Sequence, residues 1–317
     1  MSTARQFLLR YKVSAHHFAP AYVADMHHEL GRSTVLIRVL AERWLPYDQL
    51  VARMEDATRA LDGLSHPAII TALGMTSIHG RPAMITEYHP AISLKRLLSV
   101  CQQDACNIPL RLTLSVARSV ASAMGHAHET LALVHQDLSP ANIMVGLNGQ
   151  PTVVNFEGSH SRLSRSYTDA LMLGTMNNMA PEIMQGASPH PAADVFSLGI
   201  TLSTLLTQQT PSRLGSHKKD FAHKLSEQRQ LWNARLRDED VSALTRWALP
   251  KLLEQMLSYD ATERPDWWTL HDIFNDLCEE LDGASAALFC EQYCKEAPPM
   301  AVESALQDMV REDPRRH

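Results

Sequence analysis

The stretch that decides the fold is Leu133-Val-His-Gln-Asp-Leu-Ser-Pro-Ala-Asn-Ile-Met-Val145, followed by Val153-Val-Asn-Phe-Glu157. It reads as a short strand-rich insert between two helices. Before it, Leu112, Val116, Val120, Ala123 and Ala127 recur at helical spacing and mark a long amphipathic helix. After it comes a loop-like stretch to Glu182, then three more helical patterns over Ala192–Thr207, Val241–Leu257 and Trp267–Leu281. Residues up to about 90 read differently. Leu8–Val13, Ala21–Ala24, Val35–Leu40, Ile69–Met75 and Ala83–Tyr88 are short runs with β-branched or aromatic content, bounded by turn or polar residues. One helix interrupts them, with Leu50, Met54, Ala57, Leu61 and Leu64 as its apolar stripe and Ser65-His-Pro67 as its end. The expected organisation is α+β. Residues 1–88 form a small β-rich lobe with one helix, residues 89–283 a larger helical lobe, and residues 284–317 a helical tail with a Pro298-Pro299 break and a stripe of Val302, Leu306 and Met309.

Composition narrows the function classes. The 317 residues carry a net charge of −6 with 45% hydrophobic residues, which argues against a basic nucleic-acid footprint. No run of 18 apolar residues occurs and no signal-peptide core precedes Arg10 and Lys12, so no membrane span and a cytoplasmic location are expected. Five cysteines without a close C-x-x-C pair read as reduced thiols. His16-His17 and His27-His28 are adjacent pairs whose rings would leave a strand on opposite faces, so no metal site is read there. Glycine is scarce, 13 in all, and only Gly31 precedes residue 63.

The Asp137 to Asn142 spacing, with Asn155-Phe-Glu157 behind it, resembles the catalytic loop H-R-D-L-x-x-x-N and the D-F-G segment of protein kinases. Further matches follow in order: Gly174-Thr-Met-Asn-Asn-Met-Ala-Pro-Glu182, Asp194-Val-Phe-Ser-Leu-Gly199 and Glu263-Arg-Pro265. Upstream, Val35-Leu-Ile-Arg38 stands where V-A-I-K belongs, and Thr86-Glu-Tyr-His89 resembles the hinge between lobes. Over about residues 7–282 the chain resembles bacterial Ser/Thr protein kinases of the eukaryotic-like type. That resemblance implies a two-lobed protein-kinase-like fold with ATP and Mg²⁺ or Mn²⁺ at the cleft. It implies Asp137 as base, Asn142 as metal ligand, and Arg38, Glu87, Tyr88, His89, Asn142 and Asn155 around the nucleotide. It also implies three structural residues: Glu182 and Arg264 as a buried ion pair, and Asp194 as anchor of the catalytic loop. Ser139, in place of the usual Lys, is a substitution that a bacterial branch of the family shares.

The departures fall on phosphate handling. Ser14, His16 and Ala19 stand at the glycines of the phosphate loop, and Pro20 removes a backbone amide. Arg38 replaces the lysine, and its partner Glu falls on Ala57, so Arg38 is expected to lack a partner and to contribute little to stability. Asn155 replaces the Mg²⁺-holding Asp, and Glu157 replaces a glycine. In the adenine pocket Leu36 and Ala21 exchange the usual sizes, and Gln136 replaces the Arg that would read a phosphorylated activation loop. The expected function is therefore a pseudokinase, a regulatory or scaffolding module with residual nucleotide binding and no firm cofactor. Its partner would be a protein, such as an active kinase or a signalling complex. The alternative is an active atypical Ser/Thr protein kinase.

Overall fold

A computed structural model describes residues 5–14, 18–29, 31–165, 176–237, 239–295, 299–303, 306–307 and 310–311. His16, His17, Gly174, Thr175, Pro298 and Met309 lie outside the described residues.

The first lobe is built on five antiparallel strands in chain order: β1 (Gln6–Ser14), β2 (Ala21–His28), β3 (Gly31–Val39), β4 (Ala72–Ile78) and β5 (Arg81–Glu87). Helix α1 (Asp48–Asp62) packs on this sheet through Leu50, Met54, Ala57 and Leu61, the stripe read from the sequence. Beyond the hinge, β6 (Ala91–Ser93), β7 (Ile143–Gly146) and β8 (Pro151–Val153) form a second small sheet that carries the decisive stretch. Helices α2 (Leu94–Gln103), α3 (Leu110–Leu131), α4 (Pro181–Met184), α5 (Pro191–Thr207), α6 (Lys218–Arg237), α7 (Ala243–Met256), α8 (Trp267–Glu279) and α9 (Ala284–Tyr293) make the larger lobe. The architecture is α+β and two-lobed, as expected. No described helix is long and apolar enough to cross a membrane.

Helix α5 is the axis of the larger lobe and is buried from Ala193 to Leu206. Gly199 permits its close approach to α7, since a Cβ there would stand 3.0 Å from the Leu257 side chain. Two helices escape the periodicity reading. Helix α2 is short and capped by the Ser93 hydroxyl, which accepts from Arg96 N. Helix α6 buries only Phe221, Gln228, Trp232 and Leu236, so its apolar stripe is thin.

The tail departs from the helical expectation. Helix α9 is present, but the chain beyond it extends across the first lobe. Lys12 and Met300 exchange backbone hydrogen bonds at 2.9 Å, and β9 (Val310–Arg311) adds to the edge of the sheet beside β1, giving the order β4-β5-β3-β2-β1-β9. Val302 and Leu306 are buried in the cluster of Phe7, Tyr22, Val35 and Ile37 on the sheet face. Glu303 ion-pairs with Lys12 and accepts from the Tyr22 hydroxyl at 2.7 Å. Their apolar spacing of four suits a helix equally well. The uncovered sheet face and the unpaired edge of β1 draw the segment out.

Candidate functional site

Between the lobes lies a cleft of about 400 Å³, walled by Val13, Ala21 and Leu36 above and by Met144, Thr152 and Val154 below. The strand β5 leads into it, so that Glu87, Tyr88 and His89 line its back. Arg38 and Asn155 line its inner end. The exchanged residues Leu36 and Ala21 both face the cleft, which stays open; Arg96 of α2 reaches it from the larger lobe, a contribution the motif reading missed. The Tyr88 hydroxyl lies 3.2 Å from that of Tyr11, and His89 Nε2 lies 3.2 Å from Glu87 Oε2.

Residues 18–20, the described part of the segment between β1 and β2, turn inward. Phe18 and Ala19 are buried with Leu40 and Met54, Ala41 N donates to the Phe18 carbonyl, and Val39 N donates to that of Pro20.

Below the cleft, the catalytic-loop segment is held from beneath by Asp194. Its carboxylate accepts from His135 N at 2.6 Å and from Gln136 N at 2.8 Å. Burial pushes the Asp194 carboxyl up to about 7, against the pull of those two amide bonds. His135 uses both ring nitrogens: Nε2 donates to the Val154 carbonyl at 3.0 Å and Nδ1 accepts from Asp137 N at 3.2 Å. Burial lowers the pKa of this ring, which keeps it neutral. Gln136 has a left-handed backbone, φ 71°, and its Nε2 donates to the Gly158 carbonyl at 2.7 Å. A neutral amide thus ties the loop to the segment after Phe156.

Asp137, Asn142 and Asn155 come together as a chain of polar contacts. Asn142 Nδ2 donates to Asp137 Oδ2 at 2.6 Å and to the Asp137 carbonyl at 2.9 Å. Because an ionised carboxylate can only accept, the Asn142 amide nitrogen must face Asp137 and its oxygen must face away. That oxygen accepts from Asn155 Nδ2. Asn155, left-handed at φ 69°, keeps a buried Oδ1 that has no hydrogen-bond partner among the described residues.

Arg38 corrects the sequence reading. It does not stand alone: Arg38 Nε lies 2.6 Å from Glu157 Oε1, and both side chains are almost fully buried, at 8% and 5% exposure. The contact is a close ion pair whose angle falls outside the hydrogen-bond range, since neither atom has an aligned partner. Ala57 lies buried on α1, so the anion comes from the far side of the cleft, in the residue that replaces a glycine. An acidic side chain at that place was the available signal. Asp56, the acidic neighbour of Ala57 on α1, turns elsewhere. It pairs with Arg59 and Arg165 and accepts from Arg165 N at 2.8 Å, tying α1 to the start of the activation segment.

In the larger lobe Glu182 and Arg264 meet end-on. Nη1 and Nη2 of Arg264 donate to the two Glu182 oxygens at 2.7 and 2.8 Å, and further bonds reach the Ala192 and Ser258 carbonyls. Burial alone would raise the Glu182 carboxyl, but the Arg264 bonds override it and hold it below its ordinary value.

The residues present do not fit Mg²⁺, which dehydrates reluctantly and prefers carboxylate oxygen. Of the oxygens at positions 142 and 155, one accepts an N–H and the other belongs to a neutral amide. Glu157 is committed to Arg38.

Residues 33–276 match the family described as protein kinase domain. The serine/threonine-protein kinase PknK of Mycobacterium bovis is 35% identical over 153 residues, which are 47% of this chain and 13% of PknK. The probable serine/threonine-protein kinase PknB of Lactococcus lactis is 28% identical over 185 residues, 57% of this chain and 28% of PknB. PrkC of Bacillus subtilis, a serine/threonine-protein kinase, is 26% identical over 190 residues, again 57% of this chain and 28% of the relative. The matched part is therefore less than a third of each of these relatives.

Proposed function

Given that this chain belongs to the protein kinase domain family, we propose that it is a pseudokinase: a regulatory, protein-binding member whose cleft takes a nucleotide without metal and does not transfer its phosphoryl group. The observation that carries this reading is the hydrogen bond from Asn155 Nδ2 to Asn142 Oδ1. In the family's chemistry these two positions hold the metal ions that neutralise the transferring phosphate. Here an N–H donor points at the one oxygen and satisfies it from within the protein. A cation would have to displace that bond and gain only neutral amide oxygens.

The second support is Arg38. Glu157 pairs with it from the position that replaces a glycine, whereas the family's chemistry holds the corresponding cation with a carboxylate on α1, at the place Ala57 takes here. Loss of one electrostatic contributor costs roughly 10²–10³ in rate. The missing glycines of the phosphate loop, the altered metal position and the re-partnered arginine are three such losses. The cleft itself supports nucleotide binding, because about 400 Å³ lies within the range of small-molecule sites, roughly 300–1,000 Å³. The hinge 87–89 offers backbone groups to a base whatever its side chains are. Docking surfaces for a protein partner, an active kinase or a signalling complex, would lie on the larger lobe, whose braces at Asp194 and Glu182–Arg264 are complete.

A second reading, an atypical Ser/Thr protein kinase, is favoured by one observation: Asp137 is present and held by Asn142. A thermal-melt titration with ATP, in chelator and then with Mg²⁺ or Mn²⁺, separates the two. The expected result is a shift in chelator that metal does not enlarge, and no labelled phosphate incorporated into this chain or a generic protein substrate above an Asp137→Ala control. Metal-dependent incorporation that Asp137→Ala abolishes would overturn the proposal. Asn155→Asp is expected to make the melting shift metal-dependent, since it restores a carboxylate at that position.

A further inference from the structure

Outside the cleft, four of the five cysteines gather where α9 packs on the larger lobe. Cys101, Cys290 and Cys294 are fully buried, and Cys106 is half-buried. Among the described residues no group of three or more His, Cys, Asp or Glu side chains is arranged to hold a metal. The cluster instead divides into two pairs. Cys290 and Cys294 touch each other at the end of α9, and Cys101 touches Cys106 at the end of α2.

We propose that Cys101 and Cys106 are a peroxide-responsive modification site, a dithiol that closes to a disulfide across the C-terminal cap of α2. The geometry comes from the cap. Helix α2 ends at Gln103 with Asp104 as its cap, Ala105 turns left-handed at φ 51°, and Cys106 N donates to the Cys101 carbonyl at 3.0 Å. This is the six-residue closure in which the second residue past the cap packs its side chain on the third residue from the helix end. In many helices that contact is apolar. Here both members are cysteine, so the packing that this closure brings about sets one thiol against the other. A disulfide needs Cα atoms about 4.4–6.8 Å apart, and a backbone hydrogen bond joining the same two residues holds them near that range. Gln208 Nε2 donates to the Cys106 carbonyl at 2.8 Å, which keeps the loop in its closing shape.

Access selects the order of events. Cys106 is the thiol solvent can reach, so its thiolate attacks the O–O bond of hydrogen peroxide, giving a sulfenic acid and, after protonation of the leaving hydroxide, one water. The Cys101 sulfur then attacks the sulfenic sulfur. Its proton leaves with the displaced hydroxide as a second water. In sum, two thiols lose two electrons and two protons, and one peroxide becomes two waters. Burial, the contact with Cys106 and the nearby Asp104 push the Cys101 thiol up to about 12, so it stays protonated until the neighbouring sulfur is oxidised. Cys290 and Cys294 also stand one helical turn apart, but both are at 0% exposure and peroxide does not reach them.

Tryptic mapping tests this cleanly. Cleavage leaves Cys101 and Cys106 on one peptide, Leu97–Arg111, and the other three cysteines on Leu252–Lys295, because Pro265 protects Arg264. The reduced full-length chain is treated with hydrogen peroxide, its remaining thiols are alkylated, and the digest is weighed. The expected product is an unalkylated Leu97–Arg111 lighter by two hydrogen atoms, restored by dithiothreitol and lost in Cys106→Ser. In Cys101→Ala, Cys106 is expected to give a dimedone adduct instead. A fully alkylated Leu97–Arg111 under peroxide that oxidises the methionines would overturn the proposal, as would a crosslink confined to Leu252–Lys295.

Discussion

Arg264 in the larger lobe donates to both oxygens of Glu182 and to two backbone carbonyls, whereas Arg38 in the smaller lobe meets Glu157 through a single contact at 2.6 Å. Both arginines are buried. The difference lies in how completely their hydrogen-bonding capacity is met. Arg264 is a finished structural joint, bidentate and backed by the face of Phe196 with its centroid 5.0 Å away. Arg38 is an improvised one, in which an anion from the replaced glycine position stands in for the anion that α1 lacks. Burying a pair of charges is costly unless the geometry is excellent and the leftover donors find partners. By that measure the larger lobe holds its charges in a fully bonded joint, while the cleft keeps charge balance through a less completely bonded pair.

The largest expected effect is on the finished joint. Arg264→Ala should cost about 3–5 kcal/mol, because Glu182 is left as an uncompensated, largely buried anion. Urea denaturation, or loss of soluble protein, reads it. The same pair has a pH signature. Glu182 is held below its ordinary value in the fold, so its contribution is present above the unfolded pKa of 4.5 and is lost as pH falls through the folded value. Acid destabilisation below pH 4.5 should therefore be smaller in Glu182→Gln than in the native chain.

Arg38→Ala comes second, at about 1–3 kcal/mol, the scale of leaving a buried polar partner, here Glu157, unsatisfied; it removes one ion-pair contact, where Arg264→Ala removes four hydrogen bonds. This reverses the expectation from sequence that Arg38 matters little to stability. The double change Arg38→Met with Glu157→Leu should recover most of the loss, since replacing a buried pair by apolar side chains is often neutral. A single-mutant loss equal to that of Arg264→Ala would break the contrast between the two joints.

The smallest effect belongs to the tail. Glu303→Gln weakens the ion pair to Lys12 but leaves an acceptor for the Tyr22 hydroxyl, and Glu303 is 47% exposed. About 0.5–1 kcal/mol is expected, read as a small drop in melting temperature and as faster proteolysis between residues 295 and 311. An unchanged melt and cleavage pattern would show that the buried Val302 and Leu306 and the backbone bonds to β1 hold the strap without the Glu303–Lys12 pair.

Much of this was legible in the sequence. The stripe from Leu50 to Leu61 placed α1, because periodicity reports which face is buried, and the β-branched and aromatic runs around Val35 and Ala83 placed β3 and β5. The spacing of Asp137, Asn142 and Asn155 marked the site, because neighbouring backbone fixes how those three side chains can meet. Other features carried no local signature. Helix α6 buries too few residues to show a stripe, and the Val302–Leu306 spacing fits a helix and an extended strap alike.

By itself the sequence determined the two-lobed α+β architecture, the loop that carries Asp137, the position of the Glu182–Arg264 joint and the removal of glycine and carboxylate from the phosphate end. All of these are set by hydrophobic pattern or by residue identity at one place. The tertiary structure alone decided that Glu157 is the partner of Arg38, that the Asn155 amide satisfies Asn142, and that the tail returns to β1. Each of these is a choice among partners by a side chain or an edge strand. Such choices depend on distances across the fold between residues remote in the chain, which no local pattern encodes.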